Sequence, residues 1–271
     1  MRKEIRLNPI RYPLNHEAAY RSALLVIIEQ MRQRLYSELK TNNAQTNEHY
    51  QAAIDSILED YINNPMLGLT LATNFVKGLD KYHQRLFFSD IKRQIGVDVS
   101  DFISKSAINE LMRQAISWNV DLIQSIPTEL LPQLKQVVSE SFSELGFDQA
   151  HLKKQIDQRF NVTKSRAKLI ARDQTNKTIG NMTQFRQQGL GIQEYIWLGV
   201  DDQRERATHV ANNNKRFRYD SPPPLTGNAG QDYNCLPEYS KIKASSSINK
   251  IFRRYVNTST GELTEIITRS G

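Results

Sequence analysis

From His16 to about Gln188 the apolar residues of this chain recur at helical spacing, and no stretch of useful length alternates with the period of two that a strand requires. That single pattern excludes sandwiches, barrels and parallel-sheet folds for most of the chain. Leu24, Ile27, Ile28, Met31 and Leu35 fall on one face of a helix predicted over His16–Lys40, and Thr41-Asn42-Asn43 is a natural break. Further helices are expected over Glu48–Ile62 and Leu67–Gly96. Ser100 stands as an N-cap before Ile103, Ala107, Leu111, Ala115 and Trp118. Pro127 marks another helix start, with Leu130, Leu134, Val137 and Val138 on its buried side. A short helix is expected up to residue 160, with a boundary at Asn161-Val162-Thr163. Thr163 would cap a last long helix running from Lys164 to about Gln188, which Gly189 and Gly191 end.

Beyond Gly191 the texture changes. Glu194-Tyr195-Ile196-Trp197-Leu198 is aromatic and β-branched and reads as a strand. Asp220 to Gly230 contains Pro222-Pro223-Pro224, which fix φ and remove donors, so this stretch is irregular. Lys250–Val256 and Leu263–Thr268 flank Ser259-Thr260-Gly261-Glu262 and suggest a terminal hairpin. The expected fold class is therefore α+β: an extended all-helical N-terminal region, residues 1–160, and a small C-terminal α+β domain, residues 161–271. The second would hold a long helix, a few short strands and irregular loops.

Composition narrows the function classes. No run approaches the ~18 apolar residues of a membrane span, and the run Ala23–Ile28 has neither the length nor the cleavage site of a secretory signal. Cys235 is the only cysteine, which rules out an internal disulfide and a cysteine-rich zinc site and suits a reducing compartment. The net charge is +7, unevenly spread. Residues 1–150 hold 16 Lys/Arg against 18 Asp/Glu, residues 151–194 hold 9 against 3, and residues 195–271 hold 11 against 8. Positive charge concentrated in one stretch suits a polyanionic partner, because neutralising phosphates releases condensed counterions. Lys164, Lys168 and Arg172 follow one another at i+4 and form a basic stripe, with Lys177 beyond; these four are the candidate DNA-binding residues.

Five elements then follow in a set order. A helix carries Arg172-Asp173-Gln174-Thr175 and leaves through Gly-Leu-Gly. A strand carries Trp197. Next comes Asp201-Asp202-Gln203-Arg204-Glu205-Arg206-Ala207-Thr208-His209, then the proline run, then Gly230-Gln231-Asp232-Tyr233-Asn234-Cys235. Over roughly residues 163–240 this order resembles the phage Mu F-like family of head-morphogenesis proteins. Arg172, Asp202, Arg204, Arg206, His209, Asp232, Asn234 and Cys235 match that pattern. Asn228-Ala229-Gly230 departs from it where the family has His-Pro-Gly, and Leu236-Pro237 stands in place of an Arg and a second Cys.

Three chemistries are open to the matched residues. In a structural one, Arg204 or Arg206 pairs with Asp173, Asp202 or Asp232, while His209 and Asn234 satisfy backbone groups of the proline-rich loop. In a second, Asp202, His209 and Cys235 hold a metal, with Asp232 as a further ligand, although their spacing fits no compact metal motif. In a third, His209 acts as base and Cys235 as nucleophile. The structural reading is preferred, since the family's second cysteine and His-Pro are missing.

The resemblance then implies a minor head protein of a tailed bacteriophage, not an enzyme and without a cofactor. It would reside in the virion, inside the head or at the portal vertex, and in the host cytoplasm during assembly. Its partners would be the portal protein, a capsid or scaffold protein, and double-stranded DNA, with no membrane. The alternative is a nuclease or other small enzyme with its site at Asp202, His209 and Cys235.

Overall fold

The computed structural model describes residues 5–41, 46–143, 148–197, 206–230 and 242–244. In chain order the elements are β1 (Ile5–Leu7), α1 (Leu14–Thr41), α2 (Asn47–Asn63), α3 (Pro65–Ile95), a 3₁₀ turn (Ser100–Phe102), α4 (Lys105–Ser143), α5 (Gln149–Gly189), β2 (Glu194–Ile196), α6 (Ala207–Asn212), β3 (Arg216–Arg218) and β4 (Ile242–Ala244). The predicted hairpin at 250–268 lies outside the described residues.

The α+β expectation is overturned. Five helices of 17 to 41 residues carry the fold, and each of the four strands has three residues. Among the described residues the strands form two separate antiparallel pairs, β1 with β4 and β2 with β3, and no sheet forms a layer of its own. The β2–β3 register sets Tyr195 opposite Phe217. Bonds from Trp197 N–H to the Lys215 carbonyl and from Asn214 N–H to the Trp197 carbonyl, 2.9 and 2.8 Å, close the turn end. Glu194–Ile196 of the aromatic run do make a strand, but it finds only three partner residues, and Tyr195 and Trp197 pack in a core with α3 residues. The chain is a mostly helical protein.

Three helix boundaries are also corrected. α4 begins at Lys105 and continues through Pro127 and Pro132. Each proline removes an i→i−4 bond, at roughly 3 kcal/mol in a helix interior. Ile123, Ile126, Leu130, Leu131, Leu134, Val137 and Val138 are buried on either side of them, and each such side chain contributes about 1.5–3 kcal/mol on burial. Packing on the same face outweighs the two breaks. Likewise α5 passes unbroken through Asn161-Val162-Thr163. The Thr163 hydroxyl donates back to the Arg159 carbonyl (3.0 Å) and Ser165 to Asn161 (3.1 Å), so both serve the helix interior rather than a new N-terminus. Ser100 opens the 3₁₀ turn instead of capping α4.

The chain divides into two compact units, and α3, α4 and α5 each contribute residues to both. One unit holds Leu14–Lys77 and Arg113–Gln174. Its buried residues include Leu24, Ile28, Met31 and Leu35 from α1, Ile54 and Ile57 from α2, and Leu152, Ile156 and Phe160 from α5. Tyr20 stacks on Phe75 and its hydroxyl donates to Asn119 Oδ1 at 3.0 Å.

The other unit holds Met1–Pro13, Gly78–Met112 and Thr175–Gly271. Its core joins Leu7, Phe87, Ile91, Val99 and Ile103 to Leu190, Ile192, Tyr195, Trp197 and Tyr219. α5 ends there in a Schellman turn: Ile192 N–H reaches the Gln187 carbonyl and Gly191 N–H the Gln188 carbonyl, both 2.9 Å, with Gly191 at φ +74°. That turn delivers Leu190 and Ile192 into the core and aims β2.

Candidate functional site

In the first unit α5 presents a face with a consistent chemistry. Asp148 caps the helix by accepting the Ala150 N–H at 2.8 Å. From Gln149 to Arg172 every exposed residue is then neutral or basic. The acidic residue of this stretch, Asp157, is half-buried, accepting Arg32 Nε at 2.9 Å and the Tyr36 hydroxyl at 3.1 Å. Lys154, Lys168 and Arg172 are exposed and separated by near-whole numbers of turns. At 1.5 Å per residue they span about 27 Å of one side of the helix.

Lys164 is not an equal member of the predicted stripe. It donates to Glu29 Oε2 at 2.8 Å, and that bond and the Lys164 charge hold the Glu29 carboxyl below its ordinary range against the opposing effect of partial burial. Arg166 is similarly occupied, donating to Glu129 at 2.7 Å. Lys177 is half-buried and has a partner, and it belongs to the other unit's part of α5. Of the four predicted cations, Lys168 and Arg172 are thus exposed on the acid-free face, and Lys154 joins them. Lys154 was missed because the expected boundary at 161–163 placed it on a separate helix.

The family-matched residues fall in different settings. Arg172 is exposed on α5, while Arg206 is exposed just before α6. His209 is buried in α6 with its ring edge-on to Trp197, centroids 5.4 Å apart. Asp202, Arg204, Asp232, Asn234 and Cys235 lie outside the described residues. Asp173 is buried and accepts Gln174 Nε2 at 3.0 Å. Among the described residues no group of three or more His, Cys, Asp or Glu is placed to hold a metal ion.

Polar side chains other than the predicted ones tie the irregular loop down. Asn212 Nδ2 donates to Thr226 Oγ1 at 3.2 Å, and Asn228 Nδ2 to the Tyr219 carbonyl at 3.2 Å. The Tyr219 hydroxyl donates to Gln187 Oε1 on α5. The loop passes so close to α5 that a Cβ on Gly180 would lie 3.1 Å from the Ala229 carbonyl oxygen.

One buried cluster had no forecast. His83 is fully buried. Its Nδ1 accepts from Arg186 Nη1 at 2.8 Å and its Nε2 lies 2.7 Å from Thr183 Oγ1. Arg186 also bonds Asp80 and lies over the Phe88 ring at 5.9 Å. Burial first, then the neighbouring guanidinium, hold His83 well below the usual histidine range. The signal was available. Asp80 and His83 keep helical register with Phe87 and Ile91, and Thr183 and Arg186 with Ile179 and Leu190, so polar residues stood at core positions.

No described helix is long and apolar enough to cross a membrane. Residues 134–237 match the model of the Phage Mu protein F like protein family. The match begins well before the ordered motifs at 163–240, taking in the C-terminal part of α4 and all of α5. An uncharacterised protein of Haemophilus influenzae is 30% identical over 186 residues, which is 68% of this chain and 41% of that relative's length. The chain thus spans less than half of that relative. No solved structure matches. With α5, the Trp197 strand, α6 and the pinned loop all inside the matched segment, residues 134–237 belong to the phage Mu F-like protein family.

Proposed function

We propose that this chain serves head morphogenesis in a tailed bacteriophage as a minor head protein, binding the portal and touching packaged DNA through the outer face of α5. The family membership supports the head assignment. The observation that carries the DNA contact is the absence of exposed acid from Gln149 to Arg172 on a helix that exposes Lys154, Lys168 and Arg172. Phosphate contacts need neutralising charge and tolerance of a negative surface, and one acid on this face would oppose both. The protein would sit in the virion, at the portal vertex or inside the head, and in the host cytoplasm during assembly. In this reading it is not an enzyme. The nuclease alternative draws on Asp202, His209 and Cys235, and His209 is packed into the core against Trp197, a poor position for meeting a substrate.

The first experiment is co-expression with the portal protein and purification of the portal ring. The chain is expected to co-purify, and its reproducible absence from the ring sinks the portal role. For DNA, each phosphate neutralised contributes about 0.9 to the slope of log K against log salt, so three contacts give roughly −2.7. K168A/R172A is expected to flatten that slope by about 1.8. Duplex binding that ignores salt, or a slope unchanged in the double variant, refutes the α5 face as the DNA contact.

A further inference from the structure

Arginine carries donors only, so the 2.8 Å contact from Arg186 Nη1 to His83 Nδ1 requires a lone pair on Nδ1. The proton of the neutral ring then sits on Nε2 and is donated to Thr183 Oγ1 at 2.7 Å. The Thr183 hydroxyl in turn donates to the Ile179 carbonyl at 2.8 Å. The chain of bonds runs in one direction and admits a single protonation state of the ring. A second ring proton would set N–H against N–H and place a cation beside a guanidinium.

The surroundings offer that cation little. His83 lies with Phe87 on α3, ring centroids 5.5 Å apart, and is fully buried. The charged groups placed at it are Arg186 from α5 and, through Arg186, Asp80 from α3; Asp80 is already bound to the guanidinium. From the strand side of the same core come Tyr195 and Tyr219. Burial raises the Tyr219 hydroxyl far above its ordinary range, so it brings no charge near neutrality. His209, the other buried histidine, packs on Trp197 and not on this cluster.

We propose that His83 is a pH-operated latch in the unit built from residues 1–13, 78–112 and 175–271: neutral, it clamps Arg186 of α5 to α3, and protonated, it releases Arg186 and loosens that unit. The sign follows from the depressed native pKa. An unfolded histidine titrates near pH ~6.5, so the stability held by the neutral ring is complete above that pH. It falls as the pH drops from there toward the native value, where the folded ring itself takes the proton and the clamp opens.

The test uses the full chain. Melting temperature is followed from pH about 7.5 to about 5, above most carboxylate titration, for wild type, H83N and H209N. The amide that H83N introduces keeps a carbonyl to accept from Arg186 but cannot gain a proton. Wild type and H209N are expected to lose melting temperature steeply across this range. H83N is expected to melt lower at neutral pH and to lose little more in acid. Parallel slopes for wild type and H83N, or a slope abolished by H209N alone, overturn the proposal. If H83N fails to fold, the ring nitrogens of wild-type His83 decide by NMR. An Nε2–H tautomer that stays unprotonated well below pH ~6.5 supports the latch, and a ring that titrates at the ordinary value overturns it.

Discussion

The two halves of α5 solve opposite problems with one helix. From Gln149 to Arg172 the polar residues face out: Lys154, Lys168 and Arg172 are exposed while Leu152, Ile156, Phe160 and Ala167 are buried. From Asp173 onward polar residues are buried as well: Asp173, Gln174, Thr175, Asn176, Thr178, Arg186 and Gln187 are each less than a tenth exposed. An outward charge keeps its hydration and costs almost nothing in the fold, so it is free to serve a partner. An inward charge must find partners, and Arg186 finds Asp80, His83 and the face of Phe88, though its buried Nε has no acceptor. The difference predicts that polar residues in the first half matter to binding and those in the second to folding.

The sharpest break of that comparison is Asp80→Asn. It keeps the side chain's shape and an oxygen that can accept, but leaves the Arg186 guanidinium, 1% exposed, with neutral acceptors in place of a carboxylate. Removing one partner of a buried pair costs about 3–5 kcal/mol, and urea denaturation of D80N should show a loss of that order. D80L/R186M, which removes both charges, should lose clearly less than D80N, because no ion is left stranded. A D80N midpoint equal to wild type would mean that Arg186 is hydrated, and the two halves of α5 would then not differ in kind.

How much of this was legible beforehand depends on whether a signal was local. The helical period is local, and it gave α1, α2 and α3 to within a few residues at most ends. The strand at Glu194, the Gly191 exit and the irregular proline loop were equally legible, since aromatic runs, left-handed glycines and prolines act on their own backbone. Breaks were misread where tertiary packing outvoted a local signal. Pro127 and Pro132 look like boundaries, yet they are carried through by buried Leu130, Leu131 and Leu134. The α+β class failed because a strand's rank in a fold depends on its partners, and the strand of Tyr195 has three paired positions rather than a sheet. At the site, the basic stripe came from spacing alone, and no spacing could show Lys164 meeting Glu29 from α1, 135 positions away. The buried His83 cluster required Asp80 and Arg186, 106 positions apart, to meet.

Thr163→Ala probes the continuity on which the outward face depends. Were Thr163 an N-cap, the substitution would cost on the order of 1 kcal/mol. In an unbroken α5 its hydroxyl merely returns to the Arg159 carbonyl, and alanine is the better helix former by up to about 0.7 kcal/mol. T163A is therefore expected to leave stability unchanged or raise it slightly. A clear loss in thermal melting would restore a boundary at 161–163 and separate Lys154 from Lys168 and Arg172.

The smallest effect on the fold is expected where the effect on binding is largest. Lys168 and Arg172 are exposed on α5, so K168A/R172A should melt with wild type even as its DNA salt slope flattens. Measured side by side, the two quantities separate a surface kept for a partner from one kept for the fold. If the double variant unfolds early, these cations hold α5 in place and the basic face is structural, as Lys164 with Glu29 already is. If melting and salt slope both stay at wild-type values, charge on this helix does neither, and DNA contact moves to the other basic stretches, where Arg216 and Arg218 flank Phe217 on β3 and remain half-exposed even though they pair with Glu194 and Asp220.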